Sequence, residues 1–297
     1  MNVLIVGSTG QVGSELIKLA PDYFNVIAPT SSELDVTDKG SVDDYFVEFN
    51  PFIVINASAY TAVDKAETEA DKAFSINDNG VKNIAIAAGA RGIPVFHIST
   101  DYVFCGKKET PYTESDATNP IGVYGASKLA GEKALTEFCD KHIILRTSWV
   151  FSSSGNNFVK TMLRLGRDRS EISVVSDQFG CPTSAASIAK ALWAFGCLLY
   201  KYDSTSTKED FPWGLYHYSN KPSCSWYDFA QEIFKQSKQL GLLEHEPGLK
   251  GISTSEYPTL AKRPNFSILD CEKIKNLGFV DIPEWQSELN DVLSDLI

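Results

Sequence analysis

No stretch of the chain reaches the ~18 consecutive apolar residues of a membrane-spanning helix, although 43% of its 297 residues are hydrophobic. Positive charge is in short supply: 27 Lys and Arg stand against 38 Asp and Glu, for a net charge of −11. That balance argues against nucleic acid or a membrane surface as the main partner, because both are held through basic patches. An anionic small molecule stays allowed, since helix amino termini and one or two arginines can build a local positive site. The cysteines (Cys105, Cys139, Cys181, Cys197, Cys224 and Cys271) are scattered, with no Cys-x-x-Cys spacing of the kind used for zinc or redox work. Reduced thiols are expected. Low-complexity runs and internal repeats are absent. The first residues, Met1-Asn2-Val3-Leu4-Ile5-Val6-Gly7, have no basic lead and run into glycine, so they read as a first strand rather than a signal peptide, and a cytoplasmic protein is expected.

That strand leads into Gly7-Ser8-Thr9-Gly10-Gln11-Val12-Gly13, after which Val12, Leu16 and Leu19 recur at helical spacing. Strand, glycine turn and helix in that order form a phosphate cradle: glycines let the backbone approach a pyrophosphate, and the first amides of the helix supply donors and a positive dipole end. The second strand, Asn25-Val26-Ile27-Ala28, ends in Pro29-Thr30-Ser31-Ser32. Chains that prefer NAD usually place an acid there for the ribose hydroxyl. Thr and Ser stand in its place, with no arginine for a 2′-phosphate, so either NADPH or NADH is expected to serve, NADPH somewhat better. Asp35 and Val36 come one loop later. A third, doubly apolar strand, Pro51-Phe52-Ile53-Val54-Ile55-Asn56, ends in the small residues Ala57-Ser58-Ala59, which leave room for a flat ring or a ribose.

A long helix is expected from about Glu67 to Ala88, then a strand Val95-Phe96-His97-Ile98 carrying Ser99-Thr100-Asp101-Tyr102 at its carboxyl end. Downstream stands Tyr124-Gly125-Ala126-Ser127-Lys128, in a helix reaching about Phe138. Residues four apart on a helix share a face. A phenol's ordinary pKa of about 10 suits proton donation poorly near neutrality, and an ammonium one turn away stabilises the phenolate and lowers it. Tyr124 is therefore the candidate acid, Lys128 its tuner, and Thr100 the hydroxyl that holds a substrate oxygen.

Strands alternate with helices through Ile143-Ile144-Leu145, which closes with Arg146-Thr147-Ser148-Trp149. The pattern specifies a Rossmann-type, doubly wound α/β parallel sheet, with ligands at the carboxyl ends of its strands. Residues 1–151 are read as the dinucleotide domain. Residues 152–297 are read as mainly a smaller C-terminal substrate lobe, interleaved with late strands of the main sheet: helices near Ser187 to Leu199 and Trp226 to Lys238, a strand at Leu215-Tyr216-His217-Tyr218, a solvated excursion at 204–210, and a rigid loop at Arg263-Pro264 before two short helices.

Several longer strings, Ala59-Tyr60-Thr61-Ala62-Val63-Asp64-Lys65-Ala66-Glu67, Ser99-Thr100-Asp101-Tyr102-Val103-Phe104, Tyr124 through Glu132, Asp177-Gln178-Phe179-Gly180-Cys181-Pro182-Thr183 and Arg263-Pro264, join the glycine turn in a resemblance that spans nearly the whole chain. The chain resembles the dTDP-4-dehydrorhamnose reductases, a family of the extended short-chain dehydrogenase/reductases. The resemblance implies hydride transfer from a nicotinamide cofactor to C4 of a 4-keto-6-deoxy sugar on a nucleotide. By that likeness Gly7, Gly10, Gln11, Val12, Gly13, Asp35, Val36, Ala57, Ala59, Tyr60, Tyr124 and Lys128 line the cofactor. Thr61, Val63, Thr100, Asp101, Tyr124 and Trp149 face the nucleotide-sugar substrate, and Arg263 is read as a clamp on its diphosphate. Some members hold a divalent ion at a dimer interface through a Glu of the first helix and later acids. Glu15 is present here, but Ser184 through Lys190 carries no acid, so no metal is expected, activity should not depend on magnesium, and a homodimer stays open. Two other readings remain. The regulatory β subunit of methionine adenosyltransferase resembles the same family and works by binding an enzyme; the intact Thr100, Tyr124, Lys128 and 59–67 strings favour the reductase. An epimerase or dehydratase is the other, and dehydratases need an acid pair where only Asp101 stands.

Overall fold

The computed structural model describes residues 1–204 and 211–297. The first half runs β1 (Asn2–Val6), α1 (Gln11–Lys18), β2 (Asn25–Ile27), α2 (Lys39–Phe49), β3 (Ile53–Asn56), α3 (Val63–Ala66), α4 (Ala70–Phe74), a π-helical segment (Ser75–Gly80), α5 (Val81–Gly89), β4 (Val95–Thr100), α6 (Val123–Phe138) and β5 (His142–Thr147). The second half adds β6 (Val150–Phe151), α7 (Phe158–Asp168), β7 (Glu171–Val175), β8 (Phe179–Gly180), β9 (Thr183–Ser184), α8 (Ala185–Ser204), β10 (Gly214–His217), β11 (Cys224–Ser225), α9 (Trp226–Gln239), β12 (Gly248–Ile252), α10 (Glu272–Lys275) and α11 (Trp285–Ser294).

Six strands pair in parallel in the order β10-β5-β4-β3-β1-β2. Central strands are apolar on both faces because both are covered: Val3, Ile5, Ile53, Ile55, Phe96, Ile143 and Leu145 face α1 and α8, while Leu4, Val6, Val54, Val95 and Ile144 face α2, α5 and α6. The chain leaves β1 for β2 on one side, then returns to build β3, β4 and β5 on the other. The resulting switch point between β1 and β3 is where a doubly wound sheet opens a crevice for its ligand.

A separate core holds the second half together: α7, α9 and α11 pack Phe151, Met162, Phe229, Phe234, Trp285 and Leu289 against the parallel pair β7–β12. The alternation between halves is not clean, since α8 lies on the main sheet and β10 is its edge strand. Among the described residues no helix is long and apolar enough to cross a membrane.

Two expectations change, and a third lies almost wholly outside the described residues. The single helix expected from about Glu67 to Ala88 is broken into α4, the π-helical segment and α5. The wide turn lets the buried Asn77 reach inward, where it brackets Tyr60: its Oδ1 accepts from the Tyr60 amide at 2.8 Å and its Nδ2 donates to the Tyr60 carbonyl at 3.0 Å and to Ser127 Oγ at 3.0 Å. Such bulges gather at functional sites. The excursion expected at 204–210 falls, but for Ser204 at the end of α8, outside the described residues. And the second half holds α7, β7 and β12, which the sequence pattern does not single out.

Candidate active site

The cradle between β1 and α1 is made of backbone. Gly7 has φ +81°, and a Cβ there would lie 2.5 Å from the Ser58 amide nitrogen. A Cβ on Gly13 would lie 2.1 Å from the Gly7 carbonyl oxygen, so only glycine lets α1 come this close to the turn. Gly10 caps α1 without a side chain, which leaves the first amides of the helix as open donors. Beside them lies a cavity of about 260 Å³ lined by Gly7, Gly10, Asp35, Val36, Ala57 and Ala59, with Thr30, Ser31 and Ile76 completing the wall. Six of the residues expected at the cofactor are thus drawn together.

The others stand differently. Val12 is buried in the core under the sheet. Gln11 is turned to the second half, its Oε1 accepting from Ser152 Oγ at 3.0 Å and Asn157 Nδ2 at 2.9 Å. Tyr60 packs with Ala66 and Ala73 and donates its hydroxyl to Glu69 at 3.1 Å, offering the site mainly its bracketed backbone. Past β2, Glu33 folds back so that its carboxylate accepts from the Thr30 amide and hydroxyl, each at 2.8 Å. An acid therefore stands just beyond the Thr30-Ser31-Ser32 run, held to Thr30 and outside the cavity wall.

At the carboxyl end of β4 the catalytic candidates meet. Thr100 is buried; its hydroxyl donates to Asp101 Oδ1 at 3.1 Å and accepts from the Tyr102 amide at 3.2 Å. Tyr124, on α6 four residues before Lys128, stands beside it, close enough for the Thr100 hydroxyl to act on the phenol's titration. Tyr124 stands edge-on to Tyr102, ring centroids 5.6 Å apart. Gly125 makes room for this approach of α6, because a Cβ there would sit 2.1 Å from the Tyr102 carbonyl oxygen.

The charges are not as the Tyr124–Lys128 spacing implies. Burial pushes the phenol up to about 12, the nearby Thr100 hydroxyl opposing and the Asp101 charge adding. Lys128 does not lower it here: the residue is 2% exposed and its Nζ is aimed at the strand, 2.7 Å from the Ile98 carbonyl oxygen and 3.2 Å from His97 Nε2. Burial lowers Lys128 itself to about 8, against the raising influence of Glu132. Burial also raises Asp101 to about 6, the nearby Ser267 and Thr100 hydroxyls opposing; its Oδ1 accepts from Thr100 and its Oδ2 has no partner.

Across the cleft the walls are aromatic. Trp149 holds φ +47°, a left-handed conformation uncommon for a bulky residue, and lies flat on Trp226 with centroids 3.5 Å apart and planes 9° off parallel. Its other flank meets Gly180, where a Cβ would be 2.5 Å from the indole. Trp226, Phe158, Gln178, Tyr257 and Arg263 line a cavity of about 560 Å³. Arg263 donates to Asp64 Oδ2 at 2.9 Å, and the Ala261 amide donates to Asp64 Oδ1 at 3.1 Å, so the loop after β12 is pinned to the start of α3. Neither Asp64 in that role nor Trp226 stands out in the sequence. Thr61 is exposed and Val63 half-buried on the same segment.

Glu15 lies in a cleft with Lys18, Lys190, Glu288, Asp291 and Asp295. The acids that face it thus come from α11 and the residue that caps its end, not from residues 184–190. Lys190 approaches Glu288 at 4.0 Å and Lys18 approaches Asp295 at 3.2 Å. Among the described residues no group of three or more His, Cys, Asp or Glu could hold a metal ion.

A switch-point crevice with an uncapped glycine cradle, beside a threonine, a tyrosine and a buried lysine, defines the chain as a Rossmann-type protein of the reductase and epimerase class. All 297 residues match the family model described as RmlD substrate binding domain. The dTDP-4-dehydrorhamnose reductase of Aggregatibacter actinomycetemcomitans is 43% identical over 98% of this chain and 97% of its own length. The solved structure of a dTDP-4-dehydrorhamnose reductase from Clostridium acetobutylicum superposes with TM-score 0.90 at 38% identity, covering 100% of this chain and 99% of that one. That of Bacillus anthracis, solved in complex with NADP, gives TM-score 0.89 at 38% identity with 99% of each chain covered. The chain belongs to the dTDP-4-dehydrorhamnose reductase family.

Proposed function

We propose that this protein is an NAD(P)H-dependent reductase that converts dTDP-4-dehydro-6-deoxy-L-mannose to dTDP-L-rhamnose, with NADPH somewhat preferred over NADH. The observation that carries the reading is the meeting of buried Thr100 at the end of β4 with Tyr124 and buried Lys128, one helical turn apart on α6, in a chain that also builds the glycine cradle. The residues fit a dinucleotide. The unfilled donors at the start of α1 suit a pyrophosphate, and the cavity walled by Val36, Ala57 and Ala59 suits an adenosine. When bound, the nicotinamide supplies a hydride to the ketone carbon.

The chain's own residues do the rest. Thr100 donates to the C4 oxygen as negative charge builds there, and Tyr124 delivers the proton that makes it a hydroxyl. Lys128 binds the nicotinamide ribose and stabilises the phenolate once its ammonium turns toward it. Trp149 presents an indole edge to the sugar. Arg263 takes the diphosphate, exchanging Asp64 for it, and Asp101, Thr61 and Val63 border the sugar nucleotide. Residues 1–151 carry the cofactor, residues 152–297 supply mainly the substrate lobe, and the protein works in the cytoplasm.

Incubating the protein with NADPH and dTDP-4-dehydro-6-deoxy-L-lyxo-hexulose, then separating the nucleotide sugars, tests the activity. One dTDP-L-rhamnose should appear per NADPH consumed. Cofactor binding with no consumption would instead favour a role like that of the methionine adenosyltransferase β subunit.

A further inference from the structure

The hydrogen bonds behind Lys128 form a chain whose donors and acceptors can be counted. Asn56, at the end of β3 and wholly buried, has its Oδ1 fixed as an acceptor by the Ser58 amide at 3.1 Å and Ser58 Oγ at 2.6 Å. Its NH₂ must therefore face His97 Nδ1, 3.1 Å away, and that nitrogen must accept. A neutral imidazole with a lone pair on Nδ1 carries its hydrogen on Nε2. His97 is wholly buried, and burial, before any effect of a charge on Lys128, holds it well below the ordinary imidazole range, so it is neutral. Its Nε2–H then points at Lys128 Nζ, 3.2 Å away, while Lys128 donates to the Ile98 carbonyl at 2.7 Å. Every atom of this chain is satisfied when Lys128 is a neutral amine with a lone pair for His97. When Lys128 is an ammonium, one contact sets donor against donor, at Nζ or, if the ring changes tautomer, at Asn56.

We propose that Asn56 and His97 are positioning residues that govern the protonation of Lys128: Asn56 locks His97 as the Nε2–H tautomer, and His97 thereby makes the charge next to Tyr124 switchable instead of permanent. The proposal rests on the reductase reading for its consequence but not for its geometry. Other charged and titratable groups around Lys128 do not perform this function. Glu132, one turn further along α6, favours the ammonium, yet it is held by Arg146 of β5 at 2.9 and 2.6 Å. Tyr124 on the same helix is neutral over the working range, and Asp101 beyond β4 is tied to Thr100. The residue type matters at both places. A wholly buried polar pair flanked by Ile55, Phe96 and Ile98 costs stability unless it is fully bonded, and here the last bond is completed only by the lysine.

Two measurements test it. In the full-length protein, ring-nitrogen NMR of the four histidines should show His97 neutral with Nδ1 unprotonated, and His97→Gln should identify the signal by its loss. A protonated Nδ1 on a neutral ring, or an imidazolium, overturns the tautomer lock. The second is the pH profile of turnover with saturating NADPH. Reduction should fall on the basic side as Lys128 loses its proton. Asn56→Asp keeps the acceptor for Ser58 but offers His97 Nδ1 an acceptor, which reverses the tautomer and frees Nε2 to accept from the ammonium; the basic limb should move up by about one pH unit or more. Asn56→Ala removes the donor without adding a charge and should move it the same way by less. Profiles that superpose in both variants overturn the proposal while leaving Lys128's own role standing, which Lys128→Met tests separately. A shift in Asn56→Asp alone reduces the effect to added charge and likewise overturns it.

Discussion

At the end of the cleft nearest β1 the surface is backbone and small residues: a turn at φ +81°, a helix start with open amides, and walls of Ala57 and Ala59. At the other end it is rings and one ion pair, Trp149 on Trp226 and Arg263 on Asp64, brought together from segments that lie up to 199 residues apart. The first end recognises by closeness, so a methyl group destroys it. The second recognises by side chains that can exchange partners, so single changes there should be graded. Between them, Thr100, Tyr124 and Lys128 join the two because β4 ends where α6 begins to cross it.

The sharpest break of that contrast is Gly13→Val at the backbone end. Its side chain has no room against Gly7, so either α1 leaves the turn or the protein loses roughly 3–5 kcal/mol of stability; thermal melting and cofactor fluorescence should both register it. Lys128→Met comes next, since it removes a buried amine that serves both ends: turnover should drop by roughly 10² to 10⁴, with weaker cofactor binding as well. Retained cofactor affinity would confine Lys128 to the chemistry. Thr100→Val should cost turnover about 10²-fold while leaving the cofactor's Kd alone, because its hydroxyl addresses the substrate oxygen. Equal losses in both would place Thr100 with the backbone end.

Asp101 gives the smallest and most selective effect. Its carboxyl is raised by burial from 3.8 to about 6, so between those values the folded protein binds more protons than the unfolded chain, and stability attributable to Asp101 falls as pH rises through that window. Asp101→Asn should flatten that part of the melting-temperature profile relative to wild type. An unchanged slope would mean that the orphaned Oδ2 is hydrated.

The backbone end is readable from sequence because its signals are local: Val3-Leu4-Ile5-Val6 into glycine, then apolar residues at helical spacing, form one βα unit. Tyr124 and Lys128 are likewise readable as a pair on one face, though not the direction Lys128 takes, because that depends on His97 and Ile98 across the sheet. The π-helical segment escapes a sequence reading since the contact it serves, Asn77 bracketing Tyr60, joins residues 17 apart. β12, Gly-Leu-Lys-Gly-Ile, has little strand propensity and exists through its pairing with β7. Asp64 looks like any surface acid, and only folding places it on Arg263.

The mechanism turns on Tyr124 as the proton donor at the junction of the two ends. Tyr124→Phe removes one hydroxyl and no packing volume, so fold and cofactor affinity should persist. NADPH absorbance followed with the dTDP-4-keto sugar should show turnover lower by roughly 10² to 10⁴ than in the wild type. Turnover equal to the wild type would contradict the mechanism.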